Sequence, residues 1–253
     1  GFPLGAGLSG LVVESQRTTG YRAYVTSALV TGQCPVADLR EALRRVVARH
    51  PVLRSSLLTE RAARPLQVVH REVEAELEVR DLRRCTQTSA DREVDDWLRE
   101  QERSRFRWDA PPLFRVTAHL LPGSRFRLSL VEPLLDGWSA TTVLTELLAT
   151  PDHCSPSSTV DTVQRAFVRA ELDALADDDA RRVWRERIHG CPTTRMPFPR
   201  DDTEQLRIPV PVSEPVSTAL LDIAQRTGLP LKSVLRAAHV RRVSLLTGQR
   251  ALF

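Results

Sequence analysis

Residues 113–139 read LFRVTAHLLPGSRFRLSLVEPLLDGWS, and the fold follows from how this stretch divides. Two alternating runs, 113–121 and 125–132, flank Pro122-Gly123-Ser124, which has the composition of a hairpin turn. They are read as antiparallel strands. Pro133 to Gly137 make a second turn, and Trp138 to Ala149 has the composition of a helix with Val143, Leu144 and Leu147 as its apolar stripe. Side chains two apart on a strand share a face, so Glu132 belongs with Phe126, Leu128 and Leu130 and is expected to point inward. Burying an ionised carboxylate without a partner is costly, which makes this glutamate the conspicuous residue of the stretch.

Working outward, residues 21–31 are rich in β-branched and aromatic side chains and are read as a strand. From Val36 to His50 the apolar residues Val36, Leu39, Leu43, Val46 and Val47 recur at helical spacing, until Pro51 returns the chain to extended structure over Val52–Leu58. Residues 66–70 and 76–82 are read as short strands and Asp91–Phe106 as a helix. A loop of Pro and Ser, PDHCSPSS, precedes a charged helical region at 160–190. The three prolines of CPTTRMPFPRDDTEQ, 191–205, mark a linker, and two domains are expected, 1–200 and 201–253. In the second, Leu206–Val212 is read as a strand, followed by a helix ending at Gly228 and another from Leu231 to Thr247 ending at Gly248.

The 253 residues, 42% hydrophobic and 27% charged, suit an ordinary globular chain. The net charge is +4, but the basic residues are scattered among acids and are nearly all Arg, with Lys232 the sole lysine. A nucleic-acid partner is not expected, since such binders concentrate charge on one face. No apolar run reaches the length of a membrane span. The opening GFPLGAGLSGLVVES lacks the layout of a secretion signal, so no membrane partner and a cytoplasmic location are expected. Cys34, Cys85, Cys154 and Cys191 form no CxxC pair, and His189 with Cys191 has no second ligand pair at metal-site spacing. No metal is expected.

Three motifs carry a resemblance. Arg49-His50-Pro51-Val52-Leu53-Arg54 is similar to the RHxxLR motif of the condensation domains of non-ribosomal peptide synthetases. Phe106-Arg107-Trp108-Asp109-Ala110-Pro111-Pro112-Leu113-Phe114-Arg115 resembles their F-D-L-x-x-x-P-L-x-R stretch, and Val131-Glu132-Pro133-Leu134-Leu135-Asp136-Gly137-Trp138-Ser139 resembles their HHxxxDGWS signature. Trp184-Arg185-Glu186-Arg187 and the closing Leu-Leu-Thr-Gly-Gln add to it. The resemblance implies an α/β fold of the chloramphenicol acetyltransferase type, a two-layer sandwich with a mixed, mostly antiparallel sheet. On this chain that means a complete N-terminal lobe and the start of a C-terminal lobe.

It also implies an activity, formation of an amide between a donor thioester and an acceptor amine. No cofactor is bound in that chemistry, and both substrates arrive on the 4'-phosphopantetheine arms of carrier proteins. Carrier proteins, adjacent synthetase domains and a complementary C-terminal lobe are the expected partners. In the family the second signature His sits at the reacting amine; here that position is Glu132, and the first His is Val131. An unperturbed Glu titrates near pH 4.3 against about 6.5 for His, so it is the weaker base unless burial raises it. Two readings follow, an impaired condensation domain and a non-catalytic scaffold that docks carrier proteins or recruits tailoring enzymes.

The resemblance assigns Asp136 an architectural role, buried against an arginine or backbone amides, with Arg54 and Arg115 as candidate partners. Gly137, with Trp138 and Ser139, would line the channel for the carrier arm. Trp138 is expected in the core, His119 at the surface, and Arg49 and His50 are read as closing a helix, where positive charge suits the dipole.

Overall fold

The computed structural model describes residues 1–17, 23–59, 64–149, 160–190, 194 and 210–249. The chain divides into two compact units, Gly1–Ala176 and Asp177–Phe253. The division falls inside the stretch read as one helical region, which the structure breaks at Asp177 into two helices. Most of the segment read as a linker lies outside the described residues.

The first unit is organised by strands β2 (Tyr24–Thr31), β5 (Leu77–Asp81), β6 (Arg115–Leu121) and β7 (Arg125–Glu132), which form one sheet in the order β2-β7-β6-β5. Three strands pair antiparallel and β5 pairs parallel to β6. The β6–β7 hairpin turns where the sequence places it. Gly123 has φ 73° and Ser124 φ 52°, left-handed backbone that glycine adopts without a Cβ penalty. The strand expected from Leu113 begins two residues later, at Arg115.

Two helices cover one face of this sheet, α2 (Val36–Arg49) and α4 (Gly137–Leu148). Leu39, Leu43, Val46 and Val47 from α2 and Ala140, Val143, Leu144 and Leu147 from α4 pack with Val116, Ala118, Phe126, Leu128 and Leu130 in the largest core cluster. Full burial of such side chains contributes about 1.5–3 kcal/mol each. A third helix, α3 (Gln87–Arg103), covers part of the opposite face through Ala90, Val94 and Trp97. Its start is set by Thr86, whose hydroxyl accepts from the Ser89 amide at 3.3 Å, which is why it begins before the expected Asp91.

A smaller sheet, β1-β4-β3, pairs Phe2–Pro3 (β1), Leu66–Val69 (β4) and Ser55–Leu58 (β3). The extended stretch expected over Val52–Leu58 is divided, with a 3-10 turn over Pro51–Arg54 leading into β3. Helix α1 (Ala6–Arg17), which no sequence signal disclosed, adds Val12 to a second cluster with Leu4, Leu57 and Leu113. Helix α5 (Val160–Ala176) is fastened to the chain start, where Glu171 accepts from the Ala6 amide at 2.9 Å and Arg165 lies over the Phe2 ring.

The second unit holds α6 (Asp178–Ile188), α7 (Glu214–Thr227) and α8 (Leu231–Thr247). The last two end at Gly228 and Gly248, both left-handed, as the sequence indicates. Of the strand read over Leu206–Val212, residues 206–209 lie outside the described residues, and 210–212 carry no regular structure.

Candidate functional site

The strand β7, the turn at 133–136 and the start of α4 bring the signature residues together. Glu132 is the last residue of β7, 2% exposed, and points inward with Phe126, Leu128 and Leu130, as the alternation requires. Its carboxylate is engaged. Oε2 accepts the backbone N–H of Leu134 at 2.7 Å and of Leu135 at 2.5 Å, so the side chain folds forward and braces the turn that follows it. Burial pushes this carboxyl up to about 7; the two amide bonds oppose the rise, and the nearby Asp136 adds to it. Val131, the neighbour of Glu132 on β7, is fully buried on the other face against Trp97 and Ala23.

The braced turn is also pinned by its own leucines. Leu134 packs against the cluster of Leu4, Val12, Leu57 and Leu113, whereas Leu135 packs against the main core. Four residues after Glu132, Asp136 caps α4: Oδ1 accepts the Ser139 amide at 2.7 Å and its carbonyl accepts the Ala140 amide at 2.9 Å. Hydrogen bonds from the Ser139 amide and hydroxyl and the Trp138 amide hold its carboxyl below the usual range.

Of the surroundings expected for Asp136, the backbone amide is present and the burial and the arginine are not. The residue is exposed, and no arginine among the described residues pairs with it. Arg54 instead donates to the carbonyls of Val47 at 3.1 Å, His70 at 2.5 Å and Arg71 at 3.2 Å, closing the α2 to β3 connection onto β4. Arg115 donates to Gln101 Oε1 and Ser104 Oγ at the end of α3, to the Arg105 carbonyl, and lies 4.4 Å from the centroid of the Phe106 ring. A helix cap needs one oxygen and one amide, not a buried counter-ion.

Trp138 also departs from expectation. It is 85% exposed, because the buried stripe of α4 runs through positions 140, 143, 144 and 147 and position 138 lies on the other side. Gly137 faces open space, with nothing within 4 Å of where a Cβ would stand, and Ser139 is half-buried beside them. These three residues form the exposed lip in front of the braced turn.

His119 is fully buried where the sequence reading put it at the surface, because α3 covers its face of the sheet. His50 caps α2 and its Nε2 lies 2.7 Å from Glu146 Oε2, tying the end of the RHxxLR-like segment to α4. Sequence reasoning did not find this link, since nothing local joins residues 96 positions apart. Cys34 and Cys85 are free thiols, and no cluster of three or more His, Cys, Asp or Glu suited to a metal occurs among the described residues. No described helix is long and apolar enough to cross a membrane.

A mixed sheet whose central hairpin runs through a D-G-W-S turn into a core-packed helix defines a condensation-type fold. Solved structures agree. The first condensation domain of the calcium-dependent antibiotic synthetase, in complex with a substrate analogue, superposes with a TM-score of 0.78 at 21% identity, covering 99% of this chain and 62% of that one. SgcC5 from Streptomyces globisporus superposes with a TM-score of 0.69 at 22% identity, over 91% of this chain and 55% of that one.

Residues 9–252 match the family model described as the condensation domain, and the chain belongs to that family, whose activity is amide bond formation in non-ribosomal peptide synthesis. The AMB antimetabolite synthetase AmbE of Pseudomonas aeruginosa is 28% identical over 254 residues, taking in 95% of this chain and 12% of the synthetase. Chondramide synthase cmdD of Chondromyces crocatus is 27% identical over 243 residues, 87% of this chain and 6% of the synthase. The chain thus spans a small part of these relatives and under two thirds of the solved condensation domain.

Proposed function

We propose that this chain is a condensation-type domain of a cytoplasmic non-ribosomal peptide synthetase in which amide formation is impaired by the loss of the signature imidazoles. In the family reaction the acceptor amine attacks the donor thioester carbonyl, the C–S bond breaks, the pantetheine thiol leaves and the amine proton is transferred to a base. Both partners would be carrier proteins bearing 4'-phosphopantetheine, and no further cofactor is required. The observation that carries the impaired reading is the brace at Glu132: a buried carboxylate whose Oε2 already accepts two backbone amides is holding a turn. A positioned base contributes about 10²–10⁴ in rate, and its loss leaves a domain that still presents the lip of Gly137, Trp138 and Ser139 to a carrier arm. Docking of carriers is then its remaining role.

One observation favours a second reading. A carboxyl raised to about 7 has the proton affinity of a working general base, so Glu132 would replace the imidazole once the amine enters. Reconstitution with a donor-loaded and an acceptor-loaded carrier protein, followed by mass spectrometry of the carrier-bound species, separates the two. The impaired reading expects no product above a control with carriers alone. Product that accumulates with this chain and disappears in Glu132→Gln overturns it and makes Glu132 the base.

A further inference from the structure

The face of the sheet under α3 carries polar side chains in register across strands. Leu29 of β2 pairs with Arg127 of β7, Arg127 with His119 of β6, and His119 with Arg80 of β5. His119 is therefore flanked on both sides by a guanidinium-bearing residue. Directly paired residues on antiparallel strands, as Arg127 and His119 are, have Cβ atoms about 4.5–5.5 Å apart, and both Arg127 and Arg80 act electrostatically on His119. The imidazole is fully buried, and neither ring nitrogen has a hydrogen-bond partner among the described residues; the same holds for Arg127 Nε.

What covers the row is α3, through Trp97. The indole is 3% exposed and meets the His119 ring edge to face, with centroids 4.7 Å apart and planes at 72°. Arg80 lies 5.9 Å from the same indole ring. Charged groups acting on His119 come from β5 and β7. Arg80 and Arg127 are repulsive to an imidazolium, and the acid Glu78 is shared between Arg80 Nε at 2.8 Å and Thr117 Oγ1 at 3.0 Å. Helix α3 sets Trp97 against the ring and places no charged group among those acting on it, and β2 contributes Leu29 and Ser27 to this face, neither of them charged.

We propose that this row is an acid-sensitive fastening for α3, in which protonation of His119 sets a third cation between two guanidiniums and releases the helix from the sheet. The strands are held by their backbone ladder. Helix α3 is held to this face by side chains, Trp97 foremost, so it is the element that yields. Burial holds the imidazole down at about 4, with Arg80 and Arg127 acting in the same direction and Glu78 against them. The sign follows: the folded value lies below the free value of about 6.5, so the fastening is intact above pH 6.5 and is lost progressively as pH falls toward 4.

Hydrogen exchange of the full chain at pH 7 and pH 5, corrected for intrinsic rates, tests this. Peptides from 87–103 should lose protection relative to peptides from 125–132 by roughly tenfold to thirtyfold at pH 5, the range allowed by a two-unit pH drop across this window. His119→Phe should abolish that selective loss, and Arg127→Gln should lessen it. Equal loss in both segments, or a selective loss that survives in His119→Phe, overturns the proposal. If His119→Phe does not fold, Arg80→Gln at the outer end of the row carries the test: an unchanged pH dependence in that variant also overturns it.

Discussion

Burial pushes the Glu132 carboxyl up to about 7, whereas hydrogen bonds from Ser139 and the Trp138 amide hold that of exposed Asp136, four residues on, below the usual carboxylate range. Because the folded value of Glu132 lies above that of a free carboxyl, its protonation favours the folded state. Its contribution is complete below about pH 4.5 and is lost as pH rises through 7. A glutamine keeps an oxygen for the Leu134 and Leu135 amides but carries no charge to desolvate. Glu132→Gln should therefore be more stable than the parent at pH 8, by up to roughly 3 kcal/mol, with the gap closing toward pH 4.5. Urea melts at the two pH values check this. The inward aim of Glu132 was legible from strand alternation, because period 2 is strict. Its bond to the turn was not, because alternation gives a face and not the path of a side chain along the strand.

The helix α4 is fixed at both ends, by Asp136 at its cap and by His50 against Glu146 in its last turn. The sequence reading makes Asp136 a buried anchor held by an arginine or backbone amides; an amide holds it, and the burial and, among the described residues, the arginine are absent. An exposed N-cap is worth about 1 kcal/mol, far less than a buried charge pair. Asp136→Ala should accordingly cost about 1 kcal/mol and leave a soluble protein, and Asp136→Ser should recover most of it. Thermal melts of the two variants decide; a loss above about 3 kcal/mol would mean the carboxylate braces more than its own helix. Trp138 was misplaced although the apolar stripe of α4, already visible in the sequence, excludes position 138. His119 is a different case. One strand's pattern cannot reveal that a distant helix covers its second face, and α3 reaches it across the sheet.

Across the whole molecule the described surface is uneven in its apolar side chains. The helices α7 and α8 leave Val216, Leu221, Leu235 and Leu245 about half exposed or more, and α5 and α6 do the same with Phe167 and Trp184. Monomers rarely carry so many large apolar groups at the surface without a partner. Sedimentation velocity across a hundredfold range of concentration should show concentration-dependent association, and a constant monomer sedimentation coefficient would refute it. The hairpin, both glycine-terminated helices and the core stripes of the first unit could be read from period and punctuation. The four-stranded order β2-β7-β6-β5 could not, since it rests on pairings of residues up to about a hundred positions apart, such as Tyr24 with Glu132.

Leu134 and Leu135, neighbours in sequence, are sunk into two separate apolar clusters, and the carboxylate of Glu132 clasps the peptide between them. Mechanically the turn is a rivet through two plates. The cluster under the small sheet and the cluster under α2 and α4 cannot slide past each other without twisting the rivet, and a force applied at the lip of Gly137 and Trp138 is delivered to both plates at once. Densely packed interiors have low compressibility and transmit strain, so a shift in either cluster is felt at this turn.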